Sequence, residues 1–169
     1  MKLIYLISVF LHIISAVIWL GGSLFLAIVI VPLIRNPEFK GLSAKMVHWL
    51  GIRFRYVGWI CLAMLIITGI ANLEFRGYKI SGMFDGSLWQ GYFGNILAVK
   101  LGVFGIILIL SAVHDFYIGP KATATWQHEP DSVAAKKLRK QASWIGRINL
   151  LLGLAIVFMA IMLVRGFPW

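Results

Sequence analysis

The chain has 169 residues, of which 60% are hydrophobic and 13% are charged, and it carries a net charge of +10. A soluble globular domain has ~25% charged residues, so this balance excludes one and indicates an integral membrane protein. The positive charge falls between long apolar runs, where contact with anionic lipid headgroups explains it and a nucleic-acid partner is unnecessary.

The first apolar run extends from Leu3 to Ile34 and has one basic or acidic side chain, His12, seven residues before Trp19. An imidazole in hydrocarbon is costly unless something binds or satisfies it, which makes His12 the first candidate functional residue. The run is too long for a signal-peptide core and lacks a small-residue cleavage site, so it is expected to be a mature helix. Gly21 and Gly22 allow close helix approach. A polar turn, Arg35 to Lys40 with Pro37, follows; Ser43 is placed to cap the second helix, and His48 lies near its start. Cys61, the only cysteine in the sequence, falls inside the second span. That excludes an internal disulfide or a thiolate metal cluster and leaves a small hydrophobe.

Between Glu74 and Asn95 the chain is rich in glycine and aromatics (Phe75, Tyr78, Phe84, Trp89, Tyr92, Phe93). This suits anchoring at headgroup level, with a lid over an outer pocket as the sharper reading. The third span has Lys100 near its start and His114-Asp115 near its end. From Gly119-Pro120 through Trp126, His128 and Glu129-Pro130-Asp131 the sequence reads as a turn. From Ser132, a basic amphipathic helix over Val133 to Gln141 is predicted to run along the interface and merge into the last span.

The predicted spans are therefore Leu3 to Leu33, Arg55 to Leu73, Ile96 to Tyr117 and Ser143 to Val164. At ~1.5 Å per residue each can cross a hydrocarbon core ~30 Å thick, and lipid offers no partner for an open strand edge. The expected fold is all-α, an integral membrane four-helix up-down bundle forming one domain over residues 1–169. Eleven of the sixteen Lys and Arg residues lie in the first and third connections and five at the other end. By the positive-inside rule this predicts a multi-pass protein of a bacterial inner membrane with both termini outside.

Depth then sorts the polar residues. His12 should lie ~13 Å from the outer surface, with Lys100 nearer that surface and Met64 and Met159 at comparable depth. His48, His114, Asp115 and Arg147 fall on the inner side. Because His12 and His114 should be ~12 Å apart in depth, one haem does not readily join them, and each cluster is considered separately. A neutral imidazole with a second His or Met suits haem iron, with basic groups pairing the propionates. The residues leave other uses open: a hydrogen-bonded His12, a snorkelling Lys100, His114 as a polar cap, and Met159 and Met162 as packing. No phosphate loop, membrane zinc motif or paired carboxylates are present.

His12-Ile13-Ile14 with Trp19 and Gly22, Thr68-Gly69, Lys100-Leu101, His114 and Arg147-Ile148-Asn149 together resemble the HemJ-type protoporphyrinogen oxidases. The likeness departs at Leu150, where that family has an acidic residue. Trp19-Leu20-Gly21-Gly22 and Val113-His114-Asp115-Phe116-Tyr117-Ile118-Gly119-Pro120 equally resemble the CopD-type copper resistance membrane domain. The oxidase resemblance implies an oxidoreductase holding haem b through His12, with Trp19, Met64, Met159, His114 and His48 as further cofactor-binding candidates. It also implies Lys100, Arg147 and Asn149 as catalytic candidates, a porphyrin substrate, and quinone or another electron carrier as acceptor. Two haems, one per cluster, would make a transmembrane electron conduit. The copper resemblance implies that His12, Met159 and Met162 offer imidazole and thioether ligands to a cuprous ion. A cofactor-free assembly subunit is the third class, and a homo-oligomer is compatible with each. Because the six methionines form no dense outer cluster, the sequence places haem b ahead of copper.

Overall fold

The computed structural model describes residues 2–39 and 41–166; Lys40, one of the basic residues of the first turn, lies outside the described residues. Among them all regular structure is helical. Four helices are long and apolar enough to cross a membrane: α1 (Lys2–Arg35), α2 (Ser43–Phe75), α3 (Gly91–His128) and α4 (Val133–Arg165). They form two antiparallel hairpins, α1 on α2 and α3 on α4, joined where α1 meets α4 and where the end of α3 meets α2. The all-α membrane bundle expected from the sequence is the architecture observed.

The helices are longer than the apolar runs, because 33 to 38 residues span ~50 Å or more against a core of ~30 Å. The excess is most marked in the second hairpin, where the sequence reading was wrong in detail. Gly119-Pro120 does not end the third helix, which continues to His128. The turn is confined to Glu129 and the three residues after it. A proline inside a helix lacks an N–H, and its ring strikes the carbonyl four residues back. Here one wide π turn, His114–Ile118, absorbs the conflict, with the Gly119 N–H donating to the His114 carbonyl. The same device precedes Pro32 in α1, where Leu26–Ile30 forms a π turn and the Val31 N–H donates to Leu26. Each helix therefore passes through its proline.

The basic segment Val133 to Gln141 merges into the last span, as expected, the two forming one uninterrupted helix. Ser132 caps it by accepting from the Ala135 N–H at 3.1 Å. Ala122, Thr123 and Ala135 are buried where the two extensions meet, since small side chains let the backbones close, and Arg139 lies 4.4 Å over the Trp126 ring. Ser43, in contrast, caps nothing. It is already inside α2, and its hydroxyl faces the Ile34 and Phe39 carbonyls, each at 2.8 Å, tying the first turn together.

Along α1 the inward positions are Ser8, His12, Ser15, Trp19 and Gly22, one face at alternating three- and four-residue steps; long apolar residues such as Phe10, Val17 and Ile28 point outward. The core joins Trp19 to Cys61 and Leu62 of α2 and Ile107 of α3, with Leu152 and Ile156 of α4 packed against it. Trp19 lies between two glycines: a Cβ on Gly58 would stand 3.6 Å from its ring, and one on Gly153 would stand 2.9 Å away. Of the paired glycines in α1 only Gly22 is at a helix contact, against Phe54; Gly21 has nothing within 4 Å.

The loop at the end of the bundle that holds both termini is built from a helical turn, Gly82–Asp85, and a 3-10 turn, Ser87–Trp89. The Ser87 N–H donates to Asp85 at 2.9 Å, and these Ser87 contacts hold the exposed carboxyl below its ordinary range. Leu88 is buried, Tyr78 stacks on Phe93 with centroids 4.5 Å apart, and Phe84 is 89% exposed. The loop backbone at Leu88 and Trp89 lies directly on Gly94 of α3. Because backbone atoms cannot rotate aside, Gly94→Ala is expected to destabilise the protein by about 1–3 kcal/mol; its melting temperature in detergent checks this.

Candidate functional site

Thr68 of α2 faces α1 because it lies one helical face along from Cys61 and Leu65. Its hydroxyl donates to the Met64 carbonyl one turn back, so its single proton is committed. The His12 Nδ1, 2.8 Å from the same oxygen, must then be the donor. In the neutral ring this puts the proton on Nδ1, and Nε2 has no hydrogen-bond partner among the described residues. The ring lies against Gly69, where a Cβ would stand 3.5 Å from Cε1. Ser8 approaches the Thr68 carbonyl at 3.5 Å. One turn further along α2, Asn72 keeps a buried carbonyl oxygen without a partner.

Lys100 of α3 is half-buried. No carboxylate is within ion-pair distance of it among the described residues. Helix register locates the methionines. Trp19 meets α4 at Gly153, so in these antiparallel helices the seven residues back to His12 correspond to the stretch around Ala160. Met159 and Met162, both partly buried, flank that level. Met64 lies about one turn from Thr68 toward the Trp19 layer.

A second polar level lies nearer the basic end. Asp115 accepts from His114 Nδ1 at 2.9 Å with one carboxylate oxygen and from Trp59 Nε1 at 3.1 Å with the other. His114 is thus held in the same way as His12, Nδ1 engaged and Nε2 without a partner among the described residues. Phe116 packs 5.5 Å from Trp59 and 5.5 Å beneath the Arg55 guanidinium, whose buried Nε makes no hydrogen bond. Asn149 donates to Ser111 at 2.9 Å, and its buried carbonyl oxygen is unpaired. On α2, Trp59 and Thr68 are nine residues apart, which separates the two levels by ~14 Å.

The candidates predicted from sequence divide accordingly. His12, Lys100, Met64 and Met159 share the half of the bundle near the termini, Trp19 lies midway at the level of Gly58, and His114 and Asn149 lie toward the basic end. His48 is exposed, and Arg147 is exposed with its guanidinium 5.5 Å over Trp144 of its own helix. No hydrogen bond or ion pair joins either to His114. Among the described residues no group of three or more His, Cys, Asp or Glu is placed to hold a metal ion. The sequence reading did not identify Trp59, Ser111 or Asn72, nor Thr68 as the partner of His12. A signal existed in the spacing Gly58, Cys61, Leu65, Thr68, Asn72, which puts the small and polar residues of α2 on one face.

Fold and site together define a four-span helical membrane protein with two oriented histidines at different depths. The chain belongs to the copper resistance protein D family, whose model matches residues 50–163. It is 31% identical over 160 residues to an uncharacterized protein of Aquifex aeolicus strain VF5, covering 94% of each chain. It is also 31% identical over 115 residues to the copper transport protein CutJ of Bacillus subtilis strain 168, covering 67% of this chain and 19% of CutJ. No solved structure matches. The family match begins in α2 and so takes in Thr68, Lys100, His114 and Met159 but not His12.

Proposed function

We propose that the protein binds cuprous ion within the membrane and passes it between the two levels, His12 being the first station and His114 the second. The observation that carries this reading is the Thr68 hydrogen bond, which fixes His12 with its Nε2 lone pair unengaged. Imidazole and thioether are the donors that a soft monovalent ion prefers, and Met159 and Met162 lie at the depth of that ring. The family and the CutJ relative favour copper over the haem b reading that composition had placed first. Beside His12 the ring lies against Gly69, and two turns further along α1 the interior closes where Trp19 packs between Gly58 and Gly153.

Lys100 has a defined part in this reading. When protonated, its ammonium repels a cation in the same half of the bundle and so favours onward movement over tight retention. At the second station Asp115 and Trp59 orient His114, the arrangement common around metal-ligating histidines. The charge asymmetry supports a cytoplasmic position for this second station in a bacterial inner membrane, with both termini outside.

The test is anaerobic titration of the purified protein with Cu(I) against a chromogenic chelator, with the ligand atoms read by X-ray absorption. One ion bound per chain by nitrogen and sulfur is expected. Absence of copper above the His12→Ala background, or a Soret band in the protein as isolated, would overturn the proposal, the latter in favour of haem. Asp115→Asn is expected to lower copper flux into vesicles several-fold while leaving binding at His12 unchanged. Equal flux would remove His114 from the path.

A further inference from the structure

At the basic end, a cavity of about 530 Å³ opens between α3 and α4, with Val113, Ile118, Trp144 and Ile145 as its walls and Lys137 and Lys140 at its rim. The π turn creates one side of it. Val113 and Ile118 are five residues apart, and in an α-helix they would point about 140° apart; the wider turn returns them to one side. On α4, Lys137, Lys140 and Trp144 follow at three- and four-residue steps, one face of a helix. The lysines lie beyond the apolar stretch that begins at Ser143, and Trp144 and Ile145 lie within it. Both lysines are exposed, and neither has a carboxylate within ion-pair distance among the described residues.

We infer that this groove is a binding site for an anionic phospholipid, its phosphate held by Lys137 and Lys140 and an acyl chain laid against Trp144, Ile145 and Val113. Charge complementarity selects the headgroup, because two unpaired ammonium groups stand at the depth where a phosphate lies. The apolar walls select a lipid over a free anion. Basic pockets between transmembrane helices commonly recognise acidic headgroups in this manner. The inference is independent of copper: Val113 and Ile118 flank the turn that carries His114, but none of the groove residues is a proposed ligand or orients one.

The full chain is reconstituted in phosphatidylcholine vesicles containing phosphatidylglycerol or phosphatidylcholine brominated on its acyl chains. The signal of Trp144 is taken as the difference from Trp144→Phe. Half-maximal quenching is expected at about tenfold lower mole fraction of the brominated anionic lipid. The double variant Lys137→Gln/Lys140→Gln is expected to abolish that preference, glutamine being as good a helix former as lysine. Equal quenching by both lipids, or a preference unchanged in the double variant, would overturn the assignment. Displacement of the lipid by inorganic phosphate would reassign the groove to a free anion, and protection of Trp144 from both lipids would mean that a second copy of the chain covers it.

Discussion

His12→Ala is expected to abolish retention of Cu(I) by the purified protein while leaving its melting temperature within a few degrees of the parent. The ring is partly buried and touches α2 through Gly69 and the Thr68 hydroxyl. Removing it strands no polar group, because Thr68 keeps its bond to the Met64 carbonyl. Loss of the imidazole removes the nitrogen ligand of the proposed site and leaves its thioethers to hold the ion. A drop of at least tenfold in chelator competition is the expected reading. Thr68→Val separates ligation from orientation. The isosteric valine leaves His12 in place but removes the acceptor for Nδ1–H, and loss of an outer-shell partner of this kind lowers metal affinity about 10–100-fold. Thr68→Ser restores the hydroxyl and is expected to restore binding. Since protons compete for the same Nε2 lone pair, affinity should fall as the solution is acidified, and that slope should vanish in His12→Ala. Binding unchanged in His12→Ala would place the copper elsewhere in the chain.

The four spans were legible because a membrane helix is written in one property, sustained hydropathy, which needs no knowledge of neighbours. Where each helix ended was less so. Pro120 and Gly119 are ordinary stop signals in water, but a helix braced on both sides can hold a proline by widening one turn, and nothing in the local sequence states that α4 and α2 supply the bracing. His12 stood out as an imidazole in oil. Its tautomer did not, because it depends on Thr68 pointing at it from 56 residues away and on that hydroxyl being committed to Met64. Likewise the sequence gathered His48 and Arg147 with His114 by depth alone. Depth does not fix the direction in which a side chain leaves its helix, and His48 leaves outward while Arg147 turns onto Trp144. The residue that orients His114 from α2, Trp59, reads in sequence as one more interfacial aromatic.

The fit of Trp19 between two helices leads to the second large effect. In the interior of an isolated helix, Gly→Ala is favourable by up to about 1 kcal/mol, so propensity alone predicts that Gly58→Ala and Gly153→Ala both stabilise. Contact geometry separates them. A methyl on Gly58 meets the Trp19 ring at 3.6 Å, an ordinary van der Waals distance, and the variant should be neutral or slightly stabilised. A methyl on Gly153 would lie 2.9 Å from the Trp19 ring and 3.0 Å from the Leu20 side chain. Leu20 can rotate, but the indole can move only toward Gly58. Overpacking of this kind costs about 1–3 kcal/mol, which exceeds the propensity gain and makes Gly153→Ala destabilising. The double variant closes the direction in which Trp19 must shift, so its loss should exceed the sum of the two single effects by about 1 kcal/mol, within the range seen for residues that share a contact. Thermal denaturation of the four proteins in one detergent measures the coupling directly. Additive effects would mean that Trp19 relieves the clash without moving toward α2, and that α1 is not wedged between α2 and α4 at this level.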